Sequence, residues 1–243
     1  MGLLFCFLTV TLRANQNVTG LAMTTFGEGV GNFFGGSLNK LAGGVGQISV
    51  SATSAAFRTQ IPVLSNLGTV GKMIFSYGFM VYLAVAIAII MHWYLNRTRG
   101  GLNLRAVGEN PATADAAGIN VSKYRYAATC IGCGISGLGG LSFIMDYLNG
   151  NWEYCIDAIG WLAIALVIFT VWKPGLAIFG SIIFGALYIA SSYITGVSFA
   201  GKELFKILPY IVTIVVLIIT SMRKKREHQP PASLGLPYFR EER

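Results

Sequence analysis

Residues 73–91 and 176–194 are two runs of 19 residues without a charged side chain. At a rise of 1.5 Å per residue, such a run in helical form reaches about 30 Å, the thickness of a bilayer's hydrocarbon core. Lipid offers no partner to a backbone N–H or C=O, so a spanning segment must bond to itself as a helix or join a closed barrel. The apolar residues here are continuous and do not alternate with polar ones, which selects helices. Residues 14–36, 126–147, 159–172 and 204–222 extend the pattern, although 159–172 is short for a straight span. The chain therefore reads as all-α: a polytopic transmembrane bundle of about 6 full spans, with residues 1–12 as a partial N-terminal span whose beginning is expected upstream. Composition agrees, since 12% of the 243 residues are charged and 54% hydrophobic, where a soluble domain averages roughly 25% charged.

The net charge of +8 would suit nucleic acid, but Lys and Arg gather at the ends of the apolar runs, where membrane topology accounts for them. No nucleic-acid partner is expected. Arg97, Arg99, Arg105, Lys123 and Arg125 mark residues 97–126 as a basic loop, and residues 223–226 read RKKR. Cytoplasmic loops carry the excess of Lys and Arg, so both segments belong inside. That requires an even number of crossings between them, and residues 126–222 supply four. The same scheme leaves Lys173 inside and Asp146, Glu153 and Asp157 outside. Residues 1–222 thus form one transmembrane domain around the loop 97–126. Residues 223–243 are polar, contain three prolines and have too little apolar surface to fold alone, so they are expected to be a disordered cytoplasmic tail.

One spanning segment is unusually polar. Asn17, Thr19, Glu28 and Asn32 all fall within residues 14–36. A carboxylate at mid-membrane costs about 2.5–3.5 kcal/mol on insertion scales, so it should face the bundle interior or a water-filled path. These four are the candidate substrate path; the alternative is that Glu28 lies near the outer surface and is simply solvated. Gly27, Gly31 and Gly35 recur every four residues, as do Gly132, Ser136 and Gly140, which puts each set on one helix face open to close backbone approach.

Several motifs resolve to packing. Cys130 and Cys133 have no second pair or histidine cluster beside them, so they read as small packing residues, and no metal site is expected. Residues 132–137 spell GxGxxG without a preceding strand, and GTVGK at 68–72 lacks the spacing and the following Ser or Thr of a phosphate loop. The spans hold no convergent nucleophile, base or carboxylate pair, so the chain is not expected to be an enzyme.

The basic loop carries a short helix of its own. Asn110 can cap it, Pro111 suits the first helical position, Ala112 to Ala117 are mostly good helix formers, and Gly118 can take the left-handed stop. Two turns fall well below the ~12–15 residues an isolated helix needs in water. Such a helix must be held between the membrane spans and a soluble partner.

The loop RTRGGLNLRAVGENPATADAAGINVSKYRY resembles the cytoplasmic loop of ABC-importer permeases of the branched-chain amino acid, ribose and nucleoside superfamily, through Arg105, Ala106, Gly108, Asn110, Pro111, Ala114, Ala117, Gly118 and Ile119. ANQNVTGLAM at 14–23 agrees, as does IALVIF with Trp172, Pro174 and FGAL across 164–187. Nearly the whole chain except the tail is similar to the second permease subunit of bacterial nucleoside (simple-sugar type) importers. It departs from that pattern in having only residues 1–12 before the ANQ stretch, and in Ala158 and Thr170, where glycines are expected.

The resemblance implies a multi-pass protein of the bacterial plasma membrane with its C-terminus in the cytoplasm. A second, homologous permease subunit would complete the path, an ABC ATPase subunit would bind beneath, and an extracytoplasmic substrate-binding lipoprotein would deliver substrate. ATP would be bound and hydrolysed by the partner, leaving this chain without a cofactor. Arg105, Gly108, Glu109, Asn110, Pro111, Ala114 and Gly118 would then couple to the ATPase. Nucleosides or related simple sugars are the implied substrates; branched-chain amino acids, or an inactive permease remnant, are the alternatives.

Overall fold

The computed structural model describes residues 1–41, 49–59, 76–151, 159–193, 201, 207–223 and 229–240. Among these the regular structure is helical: α1 (Gly2–Cys6), α2 (Gln16–Leu41), α3 (Ser51–Phe57), α4 (Phe79–Arg97), α5 (Arg99–Glu109), α6 (Pro111–Ala116), α7 (Val121–Ser142), α8 (Ile159–Phe169), α9 (Pro174–Tyr193) and α10 (Leu208–Arg223). Single π-helical segments, Phe7–Thr11 and Phe143–Tyr147, continue α1 and α7. One isolated bridge, Ser49 to Asn151, is the β-type pairing among the described residues.

By length and apolarity two helices are able to cross a membrane: Phe79–Arg97, with mean hydropathy 1.7, and Val121–Tyr147, with mean hydropathy 1.6. Gly2–Thr11, Gly160–Phe169, Pro174–Ile189 and Leu208–Ile219 are apolar but shorter. The described residues thus give an all-helical chain with two full-length apolar helices and four shorter ones. Phe179 and Ile182 on α9 are 67% and 66% exposed, a surface that suits hydrocarbon and not water.

The helix edges fall where hydrogen bonding, rather than hydropathy, puts them. The apolar run 73–91 predicts a span there, yet α4 begins at Phe79 and runs through His92, Trp93 and Tyr94 to Arg97. Thr98 decides that end: its hydroxyl donates to the Tyr94 carbonyl at 2.7 Å and accepts the Gly101 amide at 3.0 Å, closing α4 and opening α5 in one residue. Likewise α2 opens on Asn15, whose Oδ1 accepts from the amides of Asn17 and Val18. The stretch 37–71, which joins these apolar segments, contains the end of α2 and all of α3; residues 42–48 and 60–71 lie outside the described residues.

The chain forms two compact units, residues 1–84, 102–155 and 233–243 in one, and residues 85–101 and 156–232 in the other. In the first, α1 packs along α7, and α3 meets the π-helical end of α7, where the buried Ser54 hydroxyl donates to the Met145 carbonyl at 2.6 Å. In the second, α8, α9 and α10 pack mutually. A Cβ on Gly180 of α9 would collide with the Thr170 methyl and come within 2.9 Å of Leu166 Cδ1, so glycine is what lets α9 lie this close to the end of α8. Thr170, where the resemblance leads one to expect glycine, is buried, returns its hydroxyl to the Leu166 carbonyl at 2.9 Å, and uses its methyl as the contact.

Candidate functional site

Three helices meet in the basic loop, and each contributes one buried side chain. Val107 of α5, Ala114 of α6 and Val121 of α7 are 3%, 3% and 4% exposed, and Ala106, Ile119, Tyr124 and Tyr238 pack around them. The Asn103 amide on α5 donates to the Tyr124 hydroxyl on α7 at 3.0 Å, tying the flanking helices together. The small helix between them is finished at both ends. Asn110, extended at φ −146°, accepts the Thr113 amide on Oδ1 at 3.0 Å, with Pro111 in the first turn. At the other end Gly118 takes φ +83°; its amide reaches the Asp115 carbonyl and the Ile119 amide reaches the Ala114 carbonyl, both at 3.0 Å. These are the paired bonds of a Schellman stop. Asn120 then caps α7 through the Lys123 amide at 2.9 Å.

The residues assigned to coupling divide by exposure. Arg105, Glu109, Asn110 and Gly118 are exposed, Gly108 and Pro111 are half-buried, and Ala114 faces inward as the seat of the helix. On the outer face Asn110 is joined by Thr113, Ala116 and Ala117, all exposed. Thr113, Ala116 and Asp115 were not among the residues drawn from the sequence. The spacing 110, 113, 117 along one helical face is the signal that finds the first of these positions.

The C-terminal segment adds to this platform: residues 229–240 follow a defined path, and Ser233 to Arg240 lie on it. Ser233 donates to the Gly108 carbonyl from its amide at 3.0 Å and from Oγ at 2.5 Å. The Leu236 carbonyl accepts from Arg125 Nη1 at 3.1 Å and from Gln16 Nε2 at 3.3 Å. Asp115 receives the Tyr238 hydroxyl at 3.0 Å and Arg240 Nε at 3.1 Å, and the Arg13 guanidinium sits 5.0 Å from the centre of the Phe239 ring. The segment still buries too little to fold alone; other elements supply its partners, which composition cannot reveal. Beside it lies a cavity of about 430 Å³ lined by Arg13, Asp115, Asn120, Ser122, Tyr238 and Arg240.

The polar helix α2 sorts its candidates in a different way. Asn17, Glu28 and Asn32 are exposed, and at about 100° per residue they fall within roughly 60° of one another. Thr19 is 8% exposed and lies on the opposite side, so the structure does not bring it to the same face. The small-residue faces are mostly open: a Cβ at Gly31, Gly132 or Gly140 would meet nothing within 4 Å, and one at Gly27 only the tip of Met1, whereas Gly35 is buried. Close approach occurs instead at Gly2, where a Cβ would stand 2.9 Å from that of Cys133. The cysteine pair therefore serves, at least in part, as the seat of α1 on α7.

Residues 1–217 match the model of the family described as the branched-chain amino acid transport system permease component. The chain belongs to this family. It is similar to the nucleoside ABC transporter permease protein NupC of Lactococcus lactis subsp. cremoris, 32% identical over 216 residues, 87% of this chain and 66% of that one. It is also similar to the guanosine ABC transporter permease protein NupQ of Bacillus subtilis, 31% identical over 238 residues, 96% of this chain and 72% of the relative. A putative glucose ABC transporter permease protein, TsgC13 of Haloferax volcanii, is 29% identical over 255 residues, 97% of this chain and 76% of its own. The chain thus spans about two thirds to three quarters of the length of these curated relatives. No solved structure matches it. Membership makes the chain a membrane-protein permease component and not an enzyme.

Proposed function

We propose that this permease is a subunit of an ABC importer, multi-pass in a bacterial plasma membrane with its C-terminus in the cytoplasm, and that it passes nucleosides or related sugars. The reading rests on α6: six residues, capped at both ends, seated through Ala114 and presenting Asn110, Thr113, Ala116 and Ala117 outward. A helix that short gains little from its own hydrogen bonds. A free, rigid outer face suits docking into a groove of a separate ABC ATPase, which binds and hydrolyses the ATP. Closure of the ATPase pair would move α6 as a lever and bias inward-facing against outward-facing packing. Arg105 and Glu109 flank the docking face, Gly108, Pro111 and Gly118 set the backbone around it, and Ala114 acts from behind.

The substrate path runs along the face of α2 bearing Asn17, Glu28 and Asn32, completed by a second, homologous permease subunit. The open positions Gly31 on α2 and Gly132 and Gly140 on α7, from the small-residue sets Gly27, Gly31, Gly35 and Gly132, Ser136, Gly140, suit that neighbour, because small residues let helices approach closely in lipid. An extracytoplasmic binding lipoprotein delivers substrate to it. Nucleosides are preferred because NupC and NupQ, two of the relatives, are nucleoside and guanosine permeases. The putative glucose permease among the relatives and the family's description keep sugars and branched-chain amino acids as competitors in the assay.

The test uses the full chain co-expressed with its ABC ATPase and second permease. Thr113→Arg with Ala117→Trp should cut recovery of the ATPase in a pull-down at least tenfold while leaving the amount of chain in the membrane unchanged. Undiminished recovery sinks the coupling role. Uptake of tritiated guanosine, glucose and leucine by the same cells ranks the substrates.

A further inference from the structure

We propose that the C-terminal segment from Ser233 to Arg240 is a brace that positions the coupling helix, with Ser233 and Tyr238 acting through α5 and α6. The inference rests on the reading of α6 as the ATPase-docking helix. The last carbonyls of a helix have no partner within it. In α5 the Gly108 carbonyl finds one in the tail, because the Ser233 amide and hydroxyl both donate to it. One helix further on, the Asp115 carboxylate of α6 accepts from the Tyr238 hydroxyl and from Arg240. The same strand of tail presents the Leu236 carbonyl to Arg125 at the start of α7 and to Gln16 at the start of α2. Eight residues therefore reach four helices, and the Tyr238 ring adds to the buried cluster of Val107, Ala114 and Val121.

Direction distinguishes a brace from an inhibitor. All of these contacts fall on the inner side of α6 or on its neighbours, and the outer face of Asn110, Thr113, Ala116 and Ala117 stays exposed. A segment that competed with the ATPase would lie across that outer face. One that holds the helix from behind stiffens it, so that a push on the outer face is transmitted to α5 and α7 and not lost in rocking of a two-turn helix. The contact combines the Tyr238 ring packed on the buried cluster with the hydrogen bonds of Ser233, Leu236 and Asp115, so its apolar and polar parts can be removed separately by single side chains.

Hydrogen exchange of the full chain in lipid nanodiscs measures the brace without any partner. The amides of Ala114, Ala117, Gly118 and Ile119 are all bonded within the α6 turn. A chain ended after Ala232, or carrying Tyr238→Ala, should exchange at these amides at least tenfold faster. Tyr238→Phe, which keeps the ring and loses the hydroxyl, should stay within about threefold of the parent. In proteoliposomes with the ATPase and second permease, the truncated chain should still recover the ATPase but consume at least threefold more ATP per guanosine transported. Unchanged exchange after truncation overturns the brace, and so does a rise in ATPase recovery, which would make the segment an inhibitor. Loss of the coupling role itself is read separately, in the Thr113→Arg with Ala117→Trp pull-down, so the two failures are distinguishable.

Discussion

Asn110 and Gly118 each do a job that few other residues can. The Asn110 side chain accepts an amide that has no partner inside α6, and its loss costs about 1 kcal/mol at a typical cap. Asn110→Ala should therefore raise exchange at the α6 amides roughly fivefold, while Asn110→Asp, which can still accept, should not. Gly118 sits at φ +83°, where a β-branched residue is strained. Gly118→Val should lower the thermal midpoint of the full chain in detergent and Gly118→Asn should leave it nearly unchanged; equal effects would mean that the left-handed turn is not what selects glycine. Both positions are legible in the sequence, because a cap and a stop are local chemistry. Ala114 is not: nothing in the string ENPATADAAG says which alanine turns inward, and only the positions of Val107 and Val121 decide it.

At the scale of elements, the α8–α9 hairpin and α6 are stabilised in opposite ways. The hairpin depends on close approach, since Gly180 leaves room for the Thr170 methyl and Leu166, and the rings of Phe169 and Phe184 lie 5.1 Å apart. Gly180→Ala should cost about 1–3 kcal/mol as an overpacked contact, seen as a lower detergent melting temperature. Adding Thr170→Ser, which removes the methyl and keeps the hydroxyl bond to Leu166, should recover at least half of the loss; no recovery would place the strain elsewhere. α6 depends on caps and neighbours, so its energetics are spread over α5, α7 and the tail. That difference explains why composition does not place residues 229–240. A disorder forecast weighs a segment's own apolar content, and here the partners of Ser233, Leu236 and Tyr238 are more than 100 residues away in sequence.

For the whole molecule, the polar face of α2 is the feature that uptake can test. Replacing Asn17, Glu28 and Asn32 together with alanine should raise the apparent KM for guanosine at least tenfold with membrane insertion unchanged, whereas Thr19→Val, on the opposite buried side, should leave KM alone. Insensitivity of uptake to the triple change would end the case for a path along that face. The residues alone are enough for whatever depends on short-range chemistry and on lipid as solvent. Uninterrupted apolar runs demand helices, Asn110 and Gly118 bracket a short one, and the motif string of the basic loop leads to the permease family. Tertiary structure alone decided which face of each helix is covered, that Thr19 leaves the polar set, that the close approach of α1 to α7 falls at Gly2 against Cys133 and not at Gly132, and that the C-terminal segment is built into the platform. Periodicity places residues on a face, but only the arrangement of distant segments determines what that face meets.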